Sequence, residues 1–122
     1  QNIHSFNCRV SLFMDPDIEQ INRAKAIGAD RIELYTGPYA DAYENNSADS
    51  DKLFTLHCQA AEHANSIGLG VNAGHDLNLD NLKYYKESVP GLLEVSIGHA
   101  LISDALYFGL KNTIQMYRAK LD

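Results

Sequence analysis

The sequence is poor in cysteine and in positive charge, and it has no long apolar run. Cys8 and Cys58 are the only cysteines, and neither lies in a Cys-x-x-Cys motif or beside a histidine cluster. This pattern argues against a disulfide framework, and we expect two free, largely buried thiols. His57 and His63 fall on different faces of one predicted helix, so we expect solvated surface histidines and no metal site.

The net negative charge of the chain argues against two classes of binding partner. Ten basic residues against sixteen acidic ones give a formal net charge of −6, which repels nucleic acids and anionic membrane surfaces. No apolar run approaches the roughly 20 residues that cross a bilayer, and the start of the chain lacks the basic-then-apolar pattern of a signal peptide. We therefore expect no nucleic-acid or membrane partner and a soluble, cytoplasmic protein. Because the chain begins with Gln rather than Met, we also expect a piece of a longer protein.

Four β-rich segments, each followed by a helical pattern, predict an α/β fold. Strands are expected at residues 9–14, 31–35, around Val71 and at 93–97, and helices at 18–27, 53–67, 77–87 and 100–120 with a possible break at Gly109. Asp15-Pro16 is a typical helix start, with Asp as the cap and Pro in the first helical position. Thr36 to Asp51 is expected to be a turn and a long surface loop that could hold a short helix. Residues 1–7 are expected to carry the tail of a preceding helix.

The alternation of apolar and polar residues in two of the strands indicates whether the sheet is open or part of a barrel. The second strand alternates, so Glu33 faces away from the apolar Ile32 and Leu34. Glu94 and Ser96 share a face of the last strand, although Glu94 is alternatively just an exposed residue at a strand start. Four parallel strands could form a small open sheet, but acidic residues on an inner face favour a barrel, which typically needs about 250 residues. The 122 residues therefore predict half a barrel, as a single partial domain.

Two of the strands end on a Gly-His pair, after which a helical pattern begins. The pairs are Gly74-His75 and Gly98-His99, and Asp76 follows the first of them. Ligands bind at the carboxyl ends of strands in repeating strand-helix folds, where the following helix presents free N–H groups. One β-α repeat separates the pairs, so we expect them side by side at one edge of the sheet. For His99 alone, a helix-start residue satisfied by backbone is the competing interpretation.

Four motifs at these strand ends resemble one known family. They are RVSLFMDP at residues 9–16, ELYTGPYA at 33–40, VNAGHDL at 71–77 and SIGHALI at 96–102. In this order they resemble the carboxyl-terminal half of the pyridoxine 5'-phosphate synthase family, and the resemblance spans nearly the whole chain. It implies a (β/α)8 TIM barrel of which these are four consecutive β-α units. It also implies the condensation of 1-deoxyxylulose 5-phosphate with 3-amino-2-oxopropyl phosphate, giving pyridoxine 5'-phosphate, inorganic phosphate and water.

The resemblance also implies roles for individual residues. His75 matches the family's proton donor, and Glu33 matches the glutamate that stabilises a transition state. Gly98 and His99 match its phosphate-binding pair. Asp76 stands where the family often has Gly, so its phosphate contact must come from the backbone. The implied partners are phosphorylated small molecules and inorganic phosphate in a homo-oligomeric enzyme, with no cofactor.

The family's remaining catalytic groups come from its amino-terminal half, which this sequence does not contain. Two hypotheses follow. In the first, the chain is a fragment of the synthase and catalysis belongs to the longer parent. In the second, it is a stand-alone half-barrel that binds phosphorylated metabolites or assembles as a structural unit without turnover. The resemblance favours the first.

Overall fold

Strands and helices follow one another along residues 3–122, which a computed structural model describes. The strands are β1 (Ser11–Met14), β2 (Arg31–Tyr35), β3 (Gly70–Gly74) and β4 (Leu92–Ser96). The helices are α1 (Ile18–Ala26), α2 (Gly37–Glu44), α3 (Ser50–Ser66), α4 (Leu82–Ser88), α5 (His99–Phe108) and α6 (Leu110–Ala119). The helix tail expected over residues 1–7 lies partly outside the described residues, and a 3-10 turn occupies Ile3–Phe6.

The sheet is parallel throughout, and its strand order is β1-β2-β3-β4. Strand order therefore follows chain order, whereas an open doubly wound sheet reverses its order at a switch point. Sequential parallel strands with returning helices are the arrangement of a (β/α)8 barrel. The four β-α units are half of such a barrel, as the sequence predicted.

The core lies between one face of the sheet and the helices. Ile32 and Leu34 of β2 and Val71 and Ala73 of β3 are completely buried there, together with three alanines of α3. The opposite face carries the polar residues of the alternating strands. In register across this inner face, Glu33 pairs with Asn72 of β3. The predicted division of β2 into an apolar and a polar face is therefore confirmed.

Helix starts differ from their predictions because side chains cap the backbone at other positions. α1 is capped by Asp17, whose Oδ1 accepts a hydrogen bond from the Gln20 N–H at 2.8 Å, so the predicted cap Asp15 comes too early. α4 begins later than predicted because Asn78 Oδ1 accepts from two of the following backbone N–H groups and holds them in a turn. The predicted break at Gly109 is confirmed, since this residue has a φ of +78° between α5 and α6.

The turn predicted directly after β2 was wrong, whereas the short helix that the prediction allowed in the following loop is present in part. Residues 37–44 form α2, with Pro38 in its first turn, where the missing N–H of proline is harmless. The helix buries Tyr39, Ala40 and Ala42 against the core, and this burial stabilises it. The Gly37-Pro38 pair is typical of a turn, which is why the sequence predicted one here. Only residues 45–49 separate α2 from α3.

The expectation of a surface histidine at position 57 was wrong. His57 is 1% exposed, and its Nδ1 lies 2.8 Å from the Tyr85 hydroxyl, which α4 brings against α3. Burial lowers the pKa of His57 to about 4 and raises the pKa of Tyr85, so both groups stay neutral at pH 7. His63 is half-buried and lies 2.7 Å from Asn22 Oδ1.

Both cysteines are free, as predicted, but their burial is less than expected. Cys8 is exposed, because it precedes β1 rather than belonging to it, and Cys58 is partly buried. The pKa of the Cys58 thiol is raised, first by desolvation and second by the negative charge of the nearby Glu62.

Large apolar side chains remain exposed at the two ends of the half-barrel. Phe13 on β1 is 56% exposed and Leu93 on β4 is 61% exposed, while Leu106 and Tyr107 of α5 exceed 80%. β1 and β4 are the outermost strands of the four, so each presents a sheet edge in this arrangement. No helix within residues 3–122 is both long and apolar enough to span a bilayer.

Candidate active site

A concavity of about 520 Å³ opens where β2, β3 and β4 reach their carboxyl ends. Its lining residues, which include every predicted site residue, are Glu33, His75, Asp76, Ser96, Ile97, Gly98 and His99. Gly74 and Ser96 are register partners, so the Gly98-His99 pair begins two residues beyond the level of Gly74, and residues of both pairs line the same concavity. The expectation that these pairs lie side by side is confirmed.

Glu33 reaches this concavity along the inner face of the sheet. The Ser96 hydroxyl donates a hydrogen bond to Glu33 Oε2, with an oxygen–oxygen distance of 3.3 Å. Gly74 lies between them on β3, and a Cβ there would overlap the Glu33 carboxylate and lie 2.9 Å from the Ser96 carbonyl oxygen. Glycine at position 74 therefore keeps open the space through which the carboxylate crosses β3.

The second inner-face carboxylate has a different environment. Glu94 accepts a hydrogen bond from Arg31 Nη1 at 3.0 Å, and the same nitrogen donates to Asn72 Oδ1 at 3.0 Å. Glu94 is thus on the inner face, as its parity predicted, although its side chain is half-exposed. Within the described residues, Glu33 has no ion-pair partner of its own. Its carboxylate is consequently available for a cationic group in the concavity.

The corner after β3 has an unusual backbone. His75 and Asp76 have φ values of +86° and +60°, in the left-handed region that residues with a Cβ rarely adopt. Asp tolerates this conformation better than most residues, and Gly adopts it without strain. The conformation gives a physical reason for the frequent Gly that the resemblance implies at position 76.

The side chains of this corner interact with each other. His75 Nδ1 lies 2.9 Å from Asp76 Oδ2, and both side chains are about half-exposed. An ionised carboxylate can only accept a hydrogen bond, so this contact places a proton on Nδ1. The Tyr35 ring packs edge-on against the imidazole with centroids 5.4 Å apart. Both contacts restrict the orientation of the ring and leave Nε2 as the nitrogen free for proton transfer.

The third wall of the concavity is the start of α5. Gly98 is the N-cap and His99 the first helical residue, and the His99 side chain is exposed. The first N–H groups of a helix have no intrahelical partner, and the helix dipole adds partial positive charge at this end. A Cβ at Gly98 would have no heavy atom within 4 Å, so the protein itself leaves this position open.

Two residues around the site were not identified from the sequence. Thr36, completely buried, donates its hydroxyl hydrogen bond to the Gly74 carbonyl oxygen at 2.7 Å and also contacts the His75 carbonyl oxygen. Asn81 is 1% exposed, and its Nδ2 lies 3.4 Å from the Asp76 carbonyl oxygen. The sequence indicates these two residues only weakly, through a Thr directly after a strand and two Asn residues near a helix start.

Comparison with known proteins adds an independent observation. The family model described as "Pyridoxal phosphate biosynthesis protein PdxJ" matches residues 1–122. A pyridoxine 5'-phosphate synthase of Porphyromonas gingivalis is 53% identical over 121 residues, covering 99% of this chain and 50% of that protein. Homologues of the same name from Flavobacterium johnsoniae and Xanthomonas campestris are 54% and 51% identical, covering 93% and 94% of this chain and 46% and 44% of those proteins.

The chain thus spans about half the length of the curated relatives it matches. The matched region includes the four strand-end motifs and every residue that lines the concavity. A family model that covers the whole chain, together with identities above 50%, leads to one conclusion: this chain belongs to the PdxJ family of pyridoxal phosphate biosynthesis proteins.

Proposed function

We propose that this chain is the carboxyl-terminal half of a pyridoxine 5'-phosphate synthase, a transferase of vitamin B6 biosynthesis. The complete enzyme condenses 1-deoxyxylulose 5-phosphate with 3-amino-2-oxopropyl phosphate to give pyridoxine 5'-phosphate, inorganic phosphate and water. The observation that carries this proposal is that one concavity holds an imidazole, a helix start and a carboxylate that has no ion-pair partner among residues 3–122. The imidazole suits proton transfer, the carboxylate suits stabilisation of a cation, and the helix start suits phosphate binding.

Phosphate binds at the start of α5 and at the corner after β3. The free N–H groups of Gly98 and His99 suit the oxygens of a phosphate, and the helix dipole adds to this attraction. The absence of a Cβ at Gly98 allows the ligand to approach its backbone closely. Asp76 contributes its backbone N–H, because its carboxylate points to the His75 ring and would repel an anion.

His75 donates protons during ring closure. The condensation expels oxygen as water, and a hydroxyl leaves more readily once it is protonated. An imidazole can both donate and accept a proton, which suits a group that gives and regains protons in each cycle. When Nε2 releases its proton to substrate, the remaining proton stays on Nδ1, facing Asp76.

Glu33 stabilises a positively charged transition state. The amino group of one substrate and the carbonyl of the other pass through cationic, imine-like species. A carboxylate that lacks an ion-pair partner can interact with such a cation at short range, where the low dielectric of the site strengthens the attraction. Ser96 holds the carboxylate toward the concavity through its hydrogen bond.

The missing half of the barrel supplies the other catalytic groups, and the complete cytoplasmic enzyme is a homo-oligomer. A stand-alone half-barrel that binds phosphate without turnover remains the second candidate. The exposed apolar residues at its two ends favour this candidate only if another copy covers them.

A chimera tests the proposal. The amino-terminal half of the Porphyromonas gingivalis synthase, joined to this chain, should close the barrel and form pyridoxine 5'-phosphate. In the same chimera, His75→Asn should lower kcat by a factor of roughly 10² to 10⁴ and leave substrate affinity nearly unchanged. A folded chimera without turnover, or an unchanged kcat in the His75→Asn variant, would contradict the assignment.

A further inference from the structure

Three consecutive carbonyl oxygens at the corner after β3 lie within hydrogen-bond distance of two buried side chains. Thr36 donates to the Gly74 carbonyl oxygen at 2.7 Å, and the same hydroxyl contacts the carbonyl oxygen of His75. The Asp76 carbonyl oxygen accepts from Asn81 Nδ2 at 3.4 Å. Thr36 and Asn81 are both at least 99% buried, so the two donor side chains are shielded from water, although His75 and Asp76 themselves are exposed.

The direction of these carbonyls determines where the intervening N–H groups point. In a trans peptide the C=O of one residue and the N–H of the next point in opposite directions. Because the His75 carbonyl points to the buried Thr36 hydroxyl, the Asp76 N–H points away from Thr36, and Asp76 lines the concavity. In the part of the chain that the structure describes, no acceptor is paired with this N–H.

The backbone conformation explains why such an anchor is needed. His75 and Asp76 are successive residues with positive φ and a Cβ, a combination that persists only where its surroundings hold it. The cross-strand bond from the His75 N–H to the Ser96 carbonyl oxygen, at 3.3 Å, is long. The buried hydroxyl of Thr36 is the nearer and stronger restraint.

We infer that Thr36 is a positioning residue for the catalytic corner, and that Asn81 assists it from the start of α4. Thr36 touches no substrate. It fixes the His75–Asp76 peptide, so that the His75 imidazole and the Asp76 N–H face the same phosphorylated substrate. The inference rests on the proposed function for the role of His75, but the direction of the Asp76 N–H is a property of this chain alone.

The kinetic test uses the chimera described above. Thr36→Val removes the hydroxyl and keeps the branched shape, while Thr36→Ser keeps the hydroxyl. Thr36→Val is expected to lower kcat by roughly 10- to 100-fold, the effect of a small misplacement of a catalytic group. Thr36→Ser should restore most of the lost kcat. Equal kcat values for the Val and Ser variants would overturn the inference.

Thr113→Val is the matched control for loss of a buried threonine hydroxyl. Thr113 is also completely buried, and its hydroxyl donates to the Gly109 carbonyl oxygen at 3.1 Å in the α5–α6 pair, away from the concavity. This variant should lower the Tm with little effect on kcat. If it lowers kcat as much as Thr36→Val does, the effect at Thr36 is merely structural and the inference fails.

A binding measurement separates failure of this inference from failure of the proposed function. Inorganic phosphate is titrated into the 15N-labelled 122-residue chain, and the amide signals of Asp76 and of the first turn of α5 are followed by NMR. The Asp76 amide should shift in the wild type and in Thr36→Ser but not in Thr36→Val, while the α5 amides shift in all three. An unresponsive Asp76 amide in the wild type would overturn the inference, whatever the turnover of the chimera.

Asn81→Asp provides a second variant if Thr36→Val does not fold. The substitution removes the Nδ2 donor but keeps an oxygen that can accept the Asn78 N–H bond seen at 2.9 Å. The same selective loss of the Asp76 amide response is expected. A wild-type response in a folded Asn81→Asp protein would exclude Asn81 from the positioning role.

Discussion

The Ser96 hydroxyl donates a hydrogen bond to the Glu33 carboxylate across an intervening strand, with 3.3 Å between the two oxygens. Adjacent strands lie about 4.8 Å apart, so residues on β2 and β4 are separated by about twice that distance. A glutamate side chain can cover this distance only where the middle strand has no side chain on that face. Gly74 meets this condition, and three neighbouring strands therefore determine the position of one carboxylate.

Gly74→Ala should displace the Glu33 carboxylate. The new Cβ would overlap that group and lie 2.9 Å from the Ser96 carbonyl oxygen, which belongs to the backbone and cannot move freely. Overpacking of this kind destabilises a protein by about 1–3 kcal/mol, and we expect kcat of the chimera to fall by roughly 10- to 100-fold. Urea unfolding and steady-state kinetics measure the two effects.

Ser96→Ala is the companion to this variant, because it removes the hydrogen bond without adding an atom. A single neutral donor contributes about 0.5–1.5 kcal/mol, so kcat should fall by only about 2- to 10-fold. A Gly74→Ala variant that keeps wild-type kcat would show that the space above Gly74 is irrelevant to the position of Glu33.

Gly98→Ala should separate phosphate binding from stability. The protein leaves room for a Cβ at this position, so the free energy of unfolding should change little. A methyl group at the N-cap would nevertheless lie between the first N–H groups of α5 and a bound phosphate. We expect weaker binding of phosphorylated substrates and of inorganic phosphate, measured by calorimetry. Equal weakening for an unphosphorylated substrate analogue would contradict a phosphate role.

The buried His57 should make the stability of the chain depend on pH. Burial lowers the pKa of His57 from 6.5 in the unfolded chain to about 4 in the folded chain. Above pH 6.5 the residue is neutral in both states and has no effect. Between pH 6.5 and 4 the unfolded chain takes up a proton that the folded chain does not, so stability falls by about 1.4 kcal/mol per pH unit as the pH decreases.

Urea unfolding at several pH values between 4 and 7 measures this slope. His57→Gln, which cannot titrate, should flatten the curve in this interval after its own stability loss is subtracted. His63→Gln is the matched control, because His63 is half-buried and also has a polar partner. A His57→Gln curve parallel to that of the wild type would show that another group causes the pH dependence.

The isolated 122-residue chain should associate, because Phe13 and Leu93 are exposed on its two outermost strands. Two copies related by a two-fold axis could cover both edges and form an eight-stranded closed sheet. Such a dimer would bind inorganic phosphate but lack the amino-terminal catalytic groups, so we expect no synthase turnover. Light scattering and a turnover assay check these outcomes.

Charged substitutions locate the interface. Phe13→Lys and Leu93→Lys should each weaken association. Leu56→Lys on α3, which is 39% exposed and lies away from both edge strands, should leave it unchanged. A compact wild-type monomer, or pyridoxine 5'-phosphate formation by the isolated chain, would contradict this prediction.

Sequence patterns correctly predicted those structural features that depend only on a few neighbouring residues. Alternation in β2 placed Glu33 on the inner face, and this assignment is confirmed because the side-chain direction of a strand reverses at each residue. Gly109 predicted the break between α5 and α6 for a similarly local reason, since glycine adopts positive φ easily. The two Gly-His pairs predicted a candidate ligand-binding edge because each lies at the carboxyl end of a strand.

Only the tertiary structure decided the environment of His57 and the shape of the corner after β3. His57 is buried because α4 brings Tyr85 against α3, and no short stretch of sequence contains that contact. The left-handed His75 is likewise in contact with Thr36, which is far away in the chain but follows the neighbouring strand β2 directly. Sequence by itself determined the strands, the Gly-His pairs and the half-barrel, because periodicity and glycine act locally. Burial and hydrogen bonding between distant segments determined which side chains meet, because those free energies exist only once the segments pack.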